Sequence, residues 1–295
     1  MYCKHFGFSE KPFDITPRPE FLYGTPGHSE ALASLIYGIR ERRGFVVMVG
    51  EIGTGKTTLL RAAMQRLPKG TCSVLLFNSE MPFEQLLLMM LDEIGLLRKG
   101  ETLSKPLALK RLYKFAIQLF AKGGNLVIFI DEAQNFDQDT MENFRILSNL
   151  ETSQHRLIQF VLSGQPELDH KLDDSGLSCF VQRISLKRYI KPLSKKDTYK
   201  YLEHCLVKAE YTGPPIFKNR ARQLIWEYSQ GVPRKINIIC DNALLVAYGK
   251  GIKKIGSTIM REVISDLSHN PFALTAETRS WLFPWKKKSV TELTN

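Results

Sequence analysis

Apolar positions along this chain fall into short runs separated by amphipathic stripes. Residues 44–50, GFVVMVG, form a β-branched run between glycines. Such a run reads as a strand buried on both faces. The runs at 73–78 (SVLLFN), 125–131 (NLVIFID) and 157–164 (LIQFVLSG) read the same way. Between them, apolar residues recur at three- and four-residue spacing, which marks one face of a helix. The spacing predicts helices over 29–40, 57–67, 82–97, 107–122 and 140–150. In the first, Leu32, Leu35, Ile36 and Ile39 share a face and Ser29 is the candidate N-cap; Pro68 stops the second. Buried strands alternating with helices predict an α/β fold, a parallel sheet covered by helices on both faces.

Beyond about residue 190 the strand signal ends. Helices are predicted over 194–209 (capped by Ser194), 219–229, 234–248 and 259–267, with a GVP break at 231–233. This pattern predicts a small all-α domain. The first 28 residues combine aromatics with prolines at 12, 17, 19 and 26. The prolines disfavour regular structure, and the aromatics favour an ordered, packed arm. The expected organisation is therefore an arm at 1–28, an α/β domain at 29–190, a helical lid at 191–270 and a tail at 271–295.

Composition narrows the function classes. At 295 residues, 43% hydrophobic and 24% charged, the chain is an ordinary globular mixture rather than a disordered one. No apolar run approaches the ~20 residues of a membrane-spanning helix. The N-terminus lacks the apolar core of a secretory signal, so a cytoplasmic chain is expected. Lysine and arginine (41) exceed aspartate and glutamate (30), for a formal charge of +11. That excess suits attraction to nucleic acid, anionic lipid or nucleotide. It suits a merely basic surface equally well, because it is spread along the chain. The five cysteines are isolated and lack zinc spacing, which predicts reduced thiols.

The clearest chemistry lies at GEIGTGKT, 50–57, which matches GxxxxGK[ST] between a predicted strand and a predicted helix. Backbone N–H groups of Gly50, Glu51, Ile52, Gly53, Thr54, Gly55, Lys56, Thr57 and Thr58 would cradle phosphate oxygens at a helix N-terminus. Lys56 would reach the β- and γ-phosphates of ATP, and the Thr57 hydroxyl would ligate Mg²⁺. A second motif, LVIFIDEAQ at 126–134, delivers Asp131 at the carboxyl end of a strand, where ligands of parallel sheets bind. Asp131 would hold the water shell of the metal, and Glu132 would polarise the attacking water. An acidic pair opening a helix is the plainer alternative. The two motifs together favour the catalytic reading.

GEIGTGKT, IDEAQ and the GVPRKIN segment at 231–237 resemble an AAA+ ATPase. The opening, HFGFSEKPFDITPRPEFLYGTPGHSEAL, resembles more narrowly the general secretion pathway protein A family, and the resemblance covers roughly residues 2–265. It implies a P-loop NTPase fold with a helical lid, ATP and Mg²⁺ as cofactors, and a homo-oligomer. Ser163 and Gln165 match the sensor-1 region, and Arg234 in GVPR matches sensor 2. Arg183 matches the position of an arginine finger that reaches a neighbouring subunit. Tyr23 and His28 match arm positions that would line the adenine pocket. Asn78 is the candidate switch partner of Glu132, with a plain turn asparagine as the alternative.

Members of that family serve type II secretion, pilus biogenesis and related envelope systems, so the resemblance implies an assembly or regulatory ATPase with a protein partner there. Many relatives continue into a transmembrane helix and a peptidoglycan-binding domain. These 295 residues carry neither, and direct peptidoglycan binding is not expected of them. The segment WLFPWKKK at 281–288 suits an anionic membrane surface, with peripheral placement at the inner membrane, or a tail that touches nothing. The same broad group resembles DNA-transposition ATPases, so a DNA-binding ATPase is the alternative function. A slow, nucleotide-gated scaffold is a third.

Overall fold

A computed structural model of the protein describes residues 1–77, 81–152 and 155–269. In chain order, α1 (Tyr2–Phe6), a 3₁₀ turn (Pro19–Phe21) and α2 (Pro26–Arg40) precede β1 (Phe45–Gly50) and α3 (Lys56–Met64). Next come β2 (Thr71–Leu76), α4 (Phe83–Glu93), α5 (Lys105–Ala121) and β3 (Asn125–Ile130). A 3₁₀ turn (Ala133–Asn135), α6 (Gln138–Leu147), β4 (Ile158–Gly164) and α7 (Pro166–Leu172) follow. A 3₁₀ turn (Ser175–Leu177), α8 (Ser178–Val181) and β5 (Ile184–Ile190) lead to α9 (Lys195–Lys208), α10 (Asn219–Ser229), α11 (Pro233–Gly249) and α12 (Ser257–His269).

The chain divides into two compact units. One runs from Pro17 to Pro192; the other joins Met1–Thr16 to the residues from Leu193 on. The first unit is built on a five-stranded sheet of order β2-β3-β4-β1-β5 with every pair parallel. Strands β1, β3 and β4 are buried along their whole length, as their unbroken apolar runs require. Phe45, Phe160, Phe144 and Phe136 anchor the layer of α4 to α8 on one face. Leu35, Ile39, Leu59 and Leu60, from α2 and α3, cover Met48, Phe129 and Val161 on the other.

The structure adds a fifth strand that the apolar runs do not predict. In β5, Ile184 and Leu186 are half-buried and Ile190 is buried, whereas Ser185, Arg188 and Tyr189 are exposed. It is an edge strand, paired to β1 alone, so its pattern is polar and charged rather than continuous.

The N-terminal segment is also more divided than one irregular arm. All four prolines follow Phe6, so residues 2–6 are free to form α1, which ends at Gly7 in the left-handed region (φ 82°). Phe8 packs edge-on against Tyr211, and Phe13 against Phe217. The Tyr2 hydroxyl donates to Asp241, and Asn237 donates to the Asp14 carbonyl at 2.7 Å. Residues 1–16 thereby belong to the helical unit, while Pro17 to His28 belong to the α/β unit, where Arg61 donates to the Pro17 carbonyl at 2.9 Å. Helix α2 also begins earlier than Ser29. Its cap is Thr25, whose hydroxyl accepts from the His28 N–H, and Pro26 occupies the first turn, a position that proline tolerates. The expected Ser194 cap on α9 is present, accepting from the Asp197 N–H at 3.1 Å. No helix among the described residues is long and apolar enough to cross a membrane. The aromatic–basic segment 281–288 lies outside the described residues.

Candidate functional site

The site grows from the carboxyl ends of β1, β3 and β4. Strand β1 ends at Gly50 and α3 begins at Lys56, with Gly55 as its N-cap at φ 98°. That conformation is costly for any residue with a Cβ, so glycine is needed where the loop turns into the helix. Thr54 closes the loop on itself, its hydroxyl donating to the Glu51 carbonyl at 2.8 Å. Glu51 and Ile52 lie exposed at the loop's tip, while Gly53 and Thr58 are half-buried.

Lys56 is 5% exposed. Its ammonium donates to the Gly50 carbonyl at 2.8 Å and the Glu51 carbonyl at 3.1 Å, spanning the loop. Burial lowers its pKa, and the carboxylates of Glu132, Asp131 and Glu51 oppose that shift.

Asp131 follows β3 and is 4% exposed. Its Oδ2 accepts the Thr57 hydroxyl at 2.5 Å, and its Oδ1 accepts the Glu132 N–H at 3.1 Å. The two residues expected at the metal are thus in contact. A hydroxyl beside a carboxylate is a hard-oxygen set that suits Mg²⁺. Among the described residues no group of three His, Cys, Asp or Glu forms a metal cage.

Glu132 sits in the left-handed region at φ 55°. Its Oε2 accepts from the Gln165 amide at 2.8 Å and from the Gln134 amide at 2.6 Å. The first contact brings two sequence-predicted residues together; the second adds Gln134, which stands inside the IDEAQ motif but was not singled out. Ser163 lies on β4, where the pairing of Ile130 with Leu162 puts Asp131 level with it on β3. The Ser163 hydroxyl is fully buried and has no hydrogen-bond partner among the described residues.

His28 stands in the first turn of α2. It is 5% exposed, behind the phosphate loop. Its Nε2 donates to the Thr54 carbonyl at 3.1 Å, which fixes the tautomer, and its Nδ1 takes the Thr25 hydroxyl at 2.6 Å. The ring braces the loop against the cap of α2. Tyr23 is half-buried two residues before Thr25. Arg183 is half-buried just before β5, 4.0 Å from Glu151. Because β5 runs parallel to β1, this places Arg183 at the end of the sheet opposite the loop. Arg234 is exposed in the first turn of α11, in the helical unit. Asn78 lies outside the described residues.

Comparison with known proteins fits this geometry. Residues 39–172 match the family model of the AAA domain. The chain is 39% identical over 259 residues, 86% of its length, to general secretion pathway protein A of Aeromonas hydrophila. It spans about half of that relative, 46%. Among solved structures, the Aeropyrum pernix ORC2 protein superposes with a TM-score of 0.63 at 17% identity, over 87% of this chain and 71% of that one. The Thermotoga maritima RuvB branch-migration motor superposes with a TM-score of 0.59 at 15% identity, over 88% and 74%. At these identities the structures establish the fold alone. Residues 39–172 are an AAA domain with the P-loop NTPase fold, and the chain is related over 86% of its length to general secretion pathway protein A.

Proposed function

We propose that the protein binds ATP with Mg²⁺ and hydrolyses it, and that hydrolysis drives assembly or regulation of a cell-envelope secretion or export system. The observation that carries the hydrolytic reading is the contact of Thr57 with Asp131, one residue from a Glu132 carboxylate held by two amides. Lys56 and the loop N–H groups would bind the β- and γ-phosphates. Thr57 and Asp131 would hold Mg²⁺, which when bound screens the phosphate charge. Glu132 would accept hydrogen-bond density from the attacking water. Ser163 and Gln165 would meet the γ-phosphate. The envelope setting is supported by the relative's name and is a proposal for this chain.

We further infer a homo-oligomer. Arg183 lies at the far end of its own sheet, roughly 20 Å from the loop for a seven-residue strand. If it acts as a finger, it acts on a neighbouring subunit. Arg234 would approach nucleotide from the helical unit.

The experiment is ATP turnover at fixed salt, alone and then with double-stranded DNA or anionic liposomes. Turnover that disappears in Lys56→Ala supports the central reading, and none in the unmodified protein under any condition contradicts it. Strong stimulation by DNA, weakening steeply with salt, would favour a DNA-dependent ATPase over the envelope setting. Stimulation by liposomes, or by neither, keeps the envelope setting ahead and directs the search to a protein partner.

A further inference from the structure

Glu132, Gln134 and Gln165 form a closed ring of hydrogen bonds. Both amides donate to Glu132 Oε2, and Gln134 Oε1 accepts the Gln165 backbone N–H at 3.1 Å. Gln134 therefore touches both ends of the contact between the acid and the turn after β4. The turn carrying Gln134 is itself pinned. Lys171, from α7, donates to the Gln134 carbonyl at 2.6 Å and the Phe136 carbonyl at 2.5 Å. Space for the Gln134 amide is left by Gly164, where a Cβ would come within 3.1 Å of Gln134 Oε1 and 2.5 Å of Leu168.

We propose that Gln134 is a positioning residue for ATP hydrolysis: it fixes the orientation of the Glu132 carboxylate and couples it to Gln165. The inference rests on the reading of Glu132 as the residue that polarises water. Two features support it over a packing role. The two donors meet an ionised acceptor, which makes each bond stronger than a neutral one. Glu132 stands in a left-handed conformation that surrounding contacts must hold. A long acidic side chain held at one end by two amides stays aimed. One that is not held spreads over several rotamers, and small misplacements of a catalytic group cost rate steeply.

The test uses the full chain and reads kcat, KM for ATP and binding of a non-hydrolysable ATP analogue. Gln134→Leu keeps the bulk and removes both hydrogen-bonding functions. Its kcat should fall about 10- to 100-fold, while KM and analogue binding stay within about threefold. Gln134→Glu keeps the size and the acceptor but replaces the donor with a like charge, so its kcat should fall at least as far. Gln134→Leu with Gln165→Leu should lose little more than the worse single change, because both act through one carboxylate. In a Glu132→Gln background, Gln134→Leu should alter the residual rate less than about twofold. A wild-type kcat in Gln134→Leu, a loss carried by KM or analogue binding, or an equal fractional loss in the Glu132→Gln background would overturn the proposal alone. Normal turnover by Glu132→Gln would overturn the assignment of Glu132 and this proposal with it.

Discussion

At the carboxyl ends of β1, β3 and β4, polar side chains bond to one another: Thr57 to Asp131, and Gln134 and Gln165 to Glu132. At the amino ends of the same sheet, charged side chains bond to backbone. Arg42 donates to the Gly124 carbonyl at 2.5 Å and the Asn125 side chain at 3.0 Å. Arg156 donates to the Arg43 carbonyl at 2.6 Å, and Ser185 donates to the same oxygen. Helices α2, α5 and α6 all end on this side, where unpaired carbonyls collect. The arginines there satisfy acceptors that the fold leaves over, and burial lowers the pKa of Arg42 and of Arg156. A cation on backbone carbonyls occurs at both ends, Lys56 at one and Arg42 and Arg156 at the other, so its surroundings rather than its partner separate the two uses. The same point bears on the net charge of +11: arginines spent on carbonyls of the α/β unit are less available to a polyanion than a count suggests.

Substitutions at the two ends should separate binding and rate from stability. Lys56→Ala should have the largest effect, taking turnover below detection and weakening ATP binding about 100-fold, with the melting temperature nearly unchanged. Calorimetric titration with ATP checks it, and unaltered affinity would break the assignment of the loop. Arg183→Ala is the exception that sharpens the comparison, since it sits at the structural end yet is proposed to act in catalysis. Turnover should drop on the order of 10³-fold, the lower end for an arginine finger. Mixing this variant with Lys56→Ala subunits should restore part of the rate, because some interfaces then pair an intact Lys56 with an intact Arg183. No recovery would return Arg183 to its role beside Glu151.

Arg42→Ala should do the reverse of Lys56→Ala. It leaves the Gly124 carbonyl and Asn125 short of a donor, at a cost of about 2 kcal/mol, or ~4–8 °C in melting temperature for a unit of this size. ATP affinity should stay the same; a parallel loss of affinity would mean that the two ends are coupled. Thr25→Ala should have the smallest effect. Losing the α2 cap costs ~1 kcal/mol, and His28 loses one of its two anchors, so ATP affinity should fall only a few-fold in the same titration.

The sequence reveals the two halves of this molecule unequally. Strands β1, β3 and β4 are legible because central parallel strands are buried on both faces and read as unbroken apolar runs. Strand β5 is not legible, because an edge strand carries Lys187 and Arg188 on positions that a central strand fills with valine. The phosphate loop is visible because its chemistry is local, eight consecutive residues between one strand and one helix. Gln134 stands in plain view in IDEAQ, yet its contact with Gln165 exists only once β3 and β4 pair in their actual register. His28 is legible as a residue of interest, but its bond to the Thr54 carbonyl is not, because that acceptor lies far along the chain and backbone carbonyls leave no mark in a sequence. The split of the first 28 residues between two units is hidden for the same reason: Phe8 and Phe13 announce burial but not against what.

The central claim is that Glu132 does the chemical work at a site that the loop builds. The most direct test is Glu132→Gln, an isosteric change that keeps the size of the side chain and removes its charge. Phosphate release and ATP-analogue binding should be measured on the same preparation. The account predicts binding within about threefold of the unmodified protein and turnover lower by about 10²- to 10⁴-fold, the range for a lost general base. Turnover within about twofold of the unmodified protein, with binding intact, would contradict it.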